Sequence, residues 1–156
     1  MKDSIKIAIA GATGYVGLEL VKLLEKHPKI KITFLLSKKS AGLKINYFDK
    51  KIKSKKLPIL TNIKKVDWRK VDIIFSALPN GEAQKIASKI PAGVKLIDLS
   101  ADFRINDNKI YKKWYGIKRR AKKVRKSIYA ISEFSKNQLP NFNIISCPGC
   151  YPTSIQ

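Results

Sequence analysis

Two cysteines lie three positions apart near the end of the chain, in the segment CPGCYPT at residues 147–153. The segment follows an apolar run typical of a strand, and Pro152 suits the first turn of a helix. A thiol beside a helix amino terminus carries a larger thiolate fraction, because the unpaired N–H groups there favour negative charge. We therefore predict that Cys150 is a nucleophile of the kind that attacks an acyl group.

Three other interpretations of the cysteine pair stay open at this point. The pair could be a dithiol redox couple, although such motifs follow an early strand with no nucleotide loop before them. It could belong to a zinc site, but that site would need further ligands, and the one histidine, His27, falls near a predicted helix end far along the sequence. We expect His27 to be a helix cap and predict no metal site. Either cysteine could also be an inert core residue.

A glycine-rich loop, GATGYVG at residues 11–17, joins an apolar run to an amphipathic segment. Such a loop at a helix start can hold a dinucleotide pyrophosphate through main-chain N–H groups alone. We expect Gly11 to make the tight turn, Gly14 to let the backbone approach the phosphates, and Gly17 to let the helix lie close to the sheet. A glycine-rich turn that binds nothing is the alternative, since the spacing differs from the commoner G-x-G-x-x-G. The predicted contacts in this loop are Gly11, Ala12, Thr13, Gly14, Tyr15 and Val16.

The residues after the second predicted strand bear on which dinucleotide is bound. An Asp or Glu at this place would bind the ribose 2′-hydroxyl of NAD, whereas the sequence has Ser37-Lys38-Lys39-Ser40. Hydroxyl and ammonium groups suit a 2′-phosphate, which a carboxylate would repel. We therefore predict NADP(H), bound by Ser37, Lys38 and Ser40, with Leu78 and Pro79 as further contacts after a later strand. The alternative is that these lysines only reflect the general lysine excess of the chain.

The elements that must position these groups follow from the hydrophobic pattern. Apolar runs alternate with amphipathic segments, which predicts an α/β fold with a Rossmann-like, doubly wound, mostly parallel sheet. The chemistry-bearing loops then fall at the carboxyl ends of strands, where such sheets bind ligands. We expect Asn80 to cap a helix whose apolar face is Ala83, Ile86, Ala87 and Ile90, and residues 38–56 and 105–127 to be irregular. The predicted strands are residues 4–10, 30–36, 57–60, 71–78, 94–99 and 142–147.

Length and composition bound the class of protein. With 156 residues and 44% apolar residues, we expect one globular domain, residues 1–156, with a substantial core. No segment has the length of a membrane span or the pattern of a signal peptide, so we predict no membrane association and a cytoplasmic location. The net charge of +22 is spread along the chain, densest at residues 118–126. We interpret that cluster as a solvated loop rather than a specific nucleic-acid site.

Several blocks together resemble one enzyme family. They are the glycine loop with its HP ending, residues 37–42, ALPNG at 77–81, LIDLSADFR at 96–104, WYG at 114–116, and PGCYPT at 148–153. On these motifs the chain is similar to the amino-terminal part of N-acetyl-γ-glutamyl-phosphate reductases. The resemblance implies NADPH-dependent reduction of a small anionic acyl phosphate to a semialdehyde, with release of phosphate, in arginine biosynthesis. It also implies that Cys150 forms a thioester and that Ser100, Arg104 and Tyr115 lie near the substrate.

The resemblance implies further expectations and shows two departures. The family continues into a second domain that these residues do not include, and its members are homo-oligomers, so we expect little activity from this part alone. Cys147 stands where the family usually has Asn, which puts a second thiol near the nucleophile, and Asn80 stands where His is frequent. The related aminoadipyl-phosphate reductase, and a non-catalytic NADP-binding or basic nucleic-acid-binding module, remain alternatives.

Overall fold

The computed structural model describes residues 4–118 and 127–155. The chain divides into two compact units, residues 1–77 and 78–156. The described residues contain seven strands and five α-helices, joined by loops and short 3₁₀ turns. Every strand pairing recorded within either unit is parallel, as expected when helices or long loops connect successive strands.

The amino-terminal unit is a four-stranded parallel sheet with one long helix. Its strands lie in the order β3-β2-β1-β4. Three 3₁₀ turns lie at Ile45–Tyr47, Ile63–Lys65 and Trp68–Lys70. The bounds of the main elements are β1 Ile5–Ala10, α1 Tyr15–Leu24, β2 Ile30–Leu36, β3 Leu60–Thr61 and β4 Ile73–Ser76.

The core of this unit explains why its loops sit where they do. The last four residues of β1 are buried, because β2 and β4 flank this strand on both sides. Helix α1 buries Gly17 and Val21 and leaves Tyr15 and Leu23 exposed. This packing holds the helix start at the carboxyl end of β1. The buried cluster consists of Ile7, Ile9, Ala12, Val21, Ile32, Leu35, Ile45, Ile52 and Leu60.

The carboxyl-terminal unit has a three-stranded parallel sheet in the order β5-β7-β6. A 3₁₀ turn at Leu139–Asn141 precedes its central strand. The bounds of the main elements are α2 Glu82–Ala87, β5 Lys95–Asp98, α3 Asn108–Tyr115, β6 Ser127–Tyr129, α4 Ser132–Ser135, β7 Ile144–Ser146 and α5 Cys150–Ser154.

Two expectations from the sequence are wrong. The segment at residues 105–127 is not irregular throughout, because Asp107 caps a regular helix, α3, by accepting hydrogen bonds from the N–H groups of Lys109 and Ile110. Asn80 does not cap α2, since the N-cap residue is Gly81, with φ of +89°. The side chain of Asn80 instead accepts a hydrogen bond from the N–H of Ala101.

Other expectations agree with the structure in part or concern residues outside the described ranges. The strand predicted at residues 30–36 has the observed bounds, whereas the one predicted at 71–78 is shorter, at Ile73–Ser76. The predicted loop at 38–56 contains a 3₁₀ turn and buries Ile45 and Ile52. In the part of the chain that the structure describes, no helix combines the length and hydropathy needed to cross a bilayer. Most of the basic cluster, residues 119–126, lies outside the described residues.

Candidate functional site

The glycine loop has the geometry that the sequence predicts. Gly11 has φ of +79°, the left-handed conformation that turns the chain off β1. Its N–H and that of Ala12 donate to the carbonyl oxygen of Leu36 in β2. A Cβ atom at Gly17 would lie 2.1 Å from the carbonyl oxygen of Gly11. Only glycine therefore lets helix α1 pack this closely on the turn.

Main-chain donors at the start of α1 remain available to a ligand. The N–H of Gly14 is used by the carbonyl oxygen of Gly11, at 3.0 Å. The N–H groups of Thr13, Tyr15 and Val16 have no recorded partner among residues 4–118 and 127–155. Tyr15 and Val16 are also exposed, so these donors meet solvent at the positive end of a ten-residue helix. This arrangement suits a pyrophosphate.

The hydroxyl-rich segment after β2 lies against this loop. The Oγ atom of Ser37 is 3.5 Å from Oγ1 of Thr13, which brings two of the predicted cofactor contacts together. Lys38 is exposed, and the carbonyl oxygen of Ser40 accepts from the N–H of Leu43 in a turn. The segment 37–40 contains no carboxylate. The side chains present are therefore compatible with a phosphate on the adenosine ribose.

In the carboxyl-terminal unit, Cys150 is the first residue of helix α5, directly after the N-cap residue Gly149. Its thiol is free and exposed, so it can be reached from solvent. The short helix is fastened to the preceding loop by Thr153, whose N–H and hydroxyl both donate to the carbonyl oxygen of Gly149. The structure thus presents Cys150 at the end of a tied turn.

Cys147 lies at the other end of the same turn in a different environment. It is partly buried, and burial is the main cause that raises the pKa of its thiol. The negative charge of Asp98 raises this pKa further, while the guanidinium of Arg104 opposes the shift. Its main chain is held on both sides. Its N–H donates to the carbonyl oxygen of Asp98 at 2.8 Å, and its carbonyl oxygen accepts from Nε of Arg104 at 3.0 Å. Burial therefore makes Cys147 the less nucleophilic of the two cysteines.

Arg104 lies beside the cysteine turn. Its Nε donates to the carbonyl oxygen of Cys147 at 3.0 Å, and Nη2 donates to that of Leu99 at 3.4 Å. A Cβ atom at Gly149 would come within 3.3 Å of Nη1, so the guanidinium touches the turn directly. Two of its five N–H groups have these partners, and the others have none recorded among the described residues. A half-buried cation with spare donors beside Gly149, the residue before Cys150, can hold an anion.

Ser100 has its hydroxyl occupied by neighbouring groups. Its Oγ donates to Oδ2 of Asp98 at 2.8 Å and accepts from the N–H of Asp102 at 3.2 Å. Both Asp98 and Ser100 are buried. The hydroxyl therefore shapes the loop that carries Arg104, and its predicted proximity to substrate stays a prediction.

The buried carboxylate of Asp102 organises the remaining part of the site. It accepts hydrogen bonds from the N–H groups of Gly81 and Gln84 and from the hydroxyl of Tyr111, at 2.6, 3.1 and 2.8 Å. Burial and this carboxylate together raise the pKa of Tyr111 well above its usual range, so the phenol stays protonated and donates. The roles of Asp102 and Tyr111 were not predicted from the sequence, where the one signal was a carboxylate placed between Ala101 and Phe103.

Three predicted site residues sit around this network. Tyr115 stacks on Tyr111 with ring centroids 5.0 Å apart and is itself half-buried. Leu78 and Pro79 precede Gly81, whose N–H is bound by Asp102, and Pro79 is exposed. The contact of Leu78 and Pro79 with a cofactor, and the proximity of Tyr115 to the substrate, stay predictions.

His27 belongs neither to the glycine loop nor to the residues around the cysteine turn. Its N–H donates to the carbonyl oxygen of Leu24 just past the end of α1, and its Nδ1 accepts from the N–H of Lys29. Within residues 4–118 and 127–155, no three His, Cys, Asp or Glu side chains cluster as metal ligands would.

Relatives of known name match almost the whole chain. The N-acetyl-gamma-glutamyl-phosphate reductase of Ehrlichia chaffeensis is 41% identical over 99% of this chain and 45% of the relative. The probable chloroplastic N-acetyl-gamma-glutamyl-phosphate reductase of Oryza sativa subsp. japonica is 37% identical over 99% of this chain and 37% of the relative. The chain thus spans less than half the length of these relatives. The resemblance predicted from the motifs is confirmed.

A solved structure and a family model agree on the fold. Aspartate semialdehyde dehydrogenase II of Vibrio cholerae, complexed with ASA, superposes with a TM-score of 0.63 at 24% identity, over 95% of this chain and 42% of that one. This likeness confirms the predicted Rossmann-like α/β fold. The model of the family described as semialdehyde dehydrogenase, NAD binding domain, matches residues 6–142. By this match the chain belongs to the family of semialdehyde dehydrogenase NAD-binding domains.

Proposed function

We propose that this chain is the cofactor-binding and cysteine-bearing part of an N-acetyl-γ-glutamyl-phosphate reductase of arginine biosynthesis. The observation that carries the proposal is an exposed Cys150 at a helix start, directly after Gly149, which Arg104 adjoins. Relatives of that name match 99% of this chain. The substrate would be a small anionic acyl phosphate, which a chain with a net charge of +22 attracts.

Cys150 would act as the nucleophile. Its sulfur attacks the acyl carbon, the bond from that carbon to the phosphate oxygen breaks, and inorganic phosphate leaves, so that a thioester on Cys150 remains. Spare N–H groups of Arg104 would hold the phosphate group through this exchange, because a guanidinium matches phosphate oxygens in pairs. Reduction of the thioester to an aldehyde takes a hydride, which is the chemistry that a bound nicotinamide cofactor supplies.

The proposed cofactor is NADP(H). The N–H groups of Thr13, Tyr15 and Val16 would hold its pyrophosphate, and the close packing at Gly17 keeps them in place. Ser37, together with Lys38 and Ser40, would bind the 2′-phosphate, since a carboxylate is missing from this segment.

Three further expectations accompany this proposal. A thiol nucleophile works only when reduced, which supports a cytoplasmic location. The homo-oligomer and the additional substrate domain are implied by the family resemblance. We further propose that residues 1–156 act as one cofactor-binding domain within that longer protein.

The two thiols of the turn provide the test. The complete natural protein is assayed for phosphate-dependent reduction of NADP⁺ with N-acetylglutamate semialdehyde, the reverse of the proposed reaction. Cys150→Ser should lower turnover by at least about 1,000-fold while leaving the NADPH dissociation constant unchanged. Cys147→Ser should lower turnover far less, because its thiol is partly buried and its pKa is raised.

Two results would contradict the proposal. One is turnover by Cys150→Ser at a rate near that of wild type. The other is a larger loss in Cys147→Ser than in Cys150→Ser, which would move the nucleophile to the other end of the turn.

A further inference from the structure

Two loops of the carboxyl-terminal unit are fastened to each other by polar groups. The first, called here the β4–α2 loop, is residues 78–81, and the second, called the β5–α3 loop, is residues 99–107. The carboxylate of Asp102 in the second accepts from the N–H of Gly81 in the first. In the opposite direction, Oδ1 of Asn80 accepts from the N–H of Ala101 at 3.0 Å.

The carboxylate of Asp102 is fully buried, and both of its oxygens accept hydrogen bonds. Its side chain has no exposed surface, and three donors converge on its two oxygens: the N–H groups of Gly81 and Gln84 and the hydroxyl of Tyr111. A buried carboxylate is costly to keep unless such donors surround it. Its own N–H is held in turn by the hydroxyl of Ser100. The position of Asp102 is thus set from four sides.

Each fastened loop carries a residue to which the proposed function gives a role. The β4–α2 loop contains Leu78 and Pro79, the proposed cofactor contacts. The β5–α3 loop contains Arg104, which donates to the turn that presents Cys150. Neither Leu78 nor Arg104 touches Asp102 through a recorded hydrogen bond, so any effect of Asp102 on them passes through the backbone.

We propose that Asp102 is a positioning residue, which fixes the proposed cofactor contacts of the β4–α2 loop against the loop that carries Arg104. This inference rests on the proposed function. It assigns Asp102 no contact with substrate or cofactor. The carboxylate sets the positions of the two loops, and the hydroxyl of Tyr111 donates to the same oxygen, Oδ1, that accepts from the N–H of Gly81.

Asp102→Asn tests this role with little change in shape. An amide keeps one acceptor oxygen but turns an NH₂ group toward a donor, so one of the three hydrogen bonds is replaced by a donor–donor contact. Because Oδ1 accepts from both Gly81 and Tyr111, the amide oxygen takes its place and the NH₂ group faces the N–H of Gln84. The first turn of α2, which follows the β4–α2 loop directly, should then move away from Asp102 and displace that loop. Asn80→Ala removes the second link, which is more exposed, and serves as the variant if Asp102→Asn does not fold. Ile144→Val is the matched control, because Ile144 is buried in strand β7 of the same unit, where it pairs with Leu96 and Ser127, and no recorded hydrogen bond joins it to either loop.

The readouts are the NADPH dissociation constant, by fluorescence titration, and the KM for phosphate in the reverse reaction. Both are measured on the complete natural protein at a temperature where circular dichroism shows each variant folded. Asp102→Asn should raise both constants about tenfold or more, since displacements near 1 Å at a binding loop have effects of this size. Asn80→Ala should raise them less, and Ile144→Val should leave both within about twofold, as expected for a substitution distant from both loops.

Unchanged constants in Asp102→Asn, with a loss of stability like that of Ile144→Val, would overturn the proposal and leave Asp102 a purely structural residue. The titration needs no turnover, so the two proposals fail in different ways. NADPH binding without turnover in wild type refutes the reaction, while the dissociation constant of Asp102→Asn still reports on positioning. Normal turnover with an unaffected Asp102→Asn refutes only the positioning role.

Discussion

Gly17→Ala is the substitution whose effect the structure predicts most directly. The added methyl would lie 2.1 Å from the carbonyl oxygen of Gly11, 2.8 Å from Cα of Ala12 and 2.9 Å from the carbonyl carbon of Gly11. All three atoms belong to the backbone of a turn bonded to β2, so no side chain can rotate away. Helix α1 must therefore shift outward by about 1 Å to restore ordinary contact distances.

Two opposing effects set the change in stability. Alanine is favoured over glycine inside a helix by about 1 kcal/mol. Overpacking against fixed backbone costs about 3 kcal/mol. The net loss is about 2 kcal/mol in the free energy of unfolding, or about 4–8 °C in Tm for a chain of this size. Because the donors of Tyr15 and Val16 move with the helix, NADPH affinity should also fall by about tenfold or more.

Thermal unfolding by circular dichroism and NADPH fluorescence titration measure the two effects. Gly93→Ala is the matched control, since a Cβ atom there meets nothing within 4 Å and Tm should be unchanged or slightly higher. Gly14→Ala should fold well, because its Cβ atom would lie 3.4 Å from the oxygen of Gly11. A Gly17→Ala protein with the Tm and NADPH affinity of wild type would refute the close-packing argument.

Three further predictions concern charge and pH. Ser37→Asp should shift the ratio of NADPH to NADH affinity toward NADH by about tenfold or more, because a carboxylate repels a 2′-phosphate. Ser54→Asp makes the same change in charge and should leave the ratio unchanged. Equal ratios in the two variants would contradict the assignment of Ser37 to the 2′-phosphate. Tyr111 has a raised pKa in the folded protein, so its contribution to stability is complete below pH 10 and is lost as pH rises further. Tyr111→Phe should therefore flatten the alkaline decline of the unfolding free energy, by up to about 1.4 kcal/mol per pH unit, and an unchanged slope would argue against it. Cys147 should react with iodoacetamide more slowly in the folded protein than in urea, and its rate should rise at a higher pH in the folded protein, because burial raises the pKa of its thiol. Mass spectrometry of the alkylated peptide measures both rates, and equal rates in the two states would contradict this prediction.

The parts of the fold that follow from local pattern were predictable. The glycine loop, strand β2 and the cysteine turn each combine hydrophobic periodicity with a residue type that has one structural use, such as Gly11 at positive φ. These signals lie within about ten residues of sequence. The sequence was therefore sufficient for the shape of the glycine loop and for the place of Cys150 at a helix start, while phosphate binding and the role of the thiol stay predictions.

The polar links between loops were not predictable in the same way. Asn80 has the residue type of a helix cap, yet its oxygen is taken by the N–H of Ala101, and the capping role passes to Asp102, some twenty residues later. A hydrogen bond between distant segments has no periodic signature. The same holds for helix α3, whose lysine-rich sequence hides the buried Tyr111.

The hydrogen bonds recorded for residue 147 involve its main chain and not its thiol. The amide of Cys147 is bound by Asp98 and its carbonyl by Arg104, and both bonds exist whatever side chain the residue carries. The side chain at this position can thus change, for example from asparagine to cysteine, without loss of the hydrogen bonds that hold the turn before Cys150. At position 147, natural variation can therefore add a new side chain three residues from the proposed nucleophile while the turn stays intact.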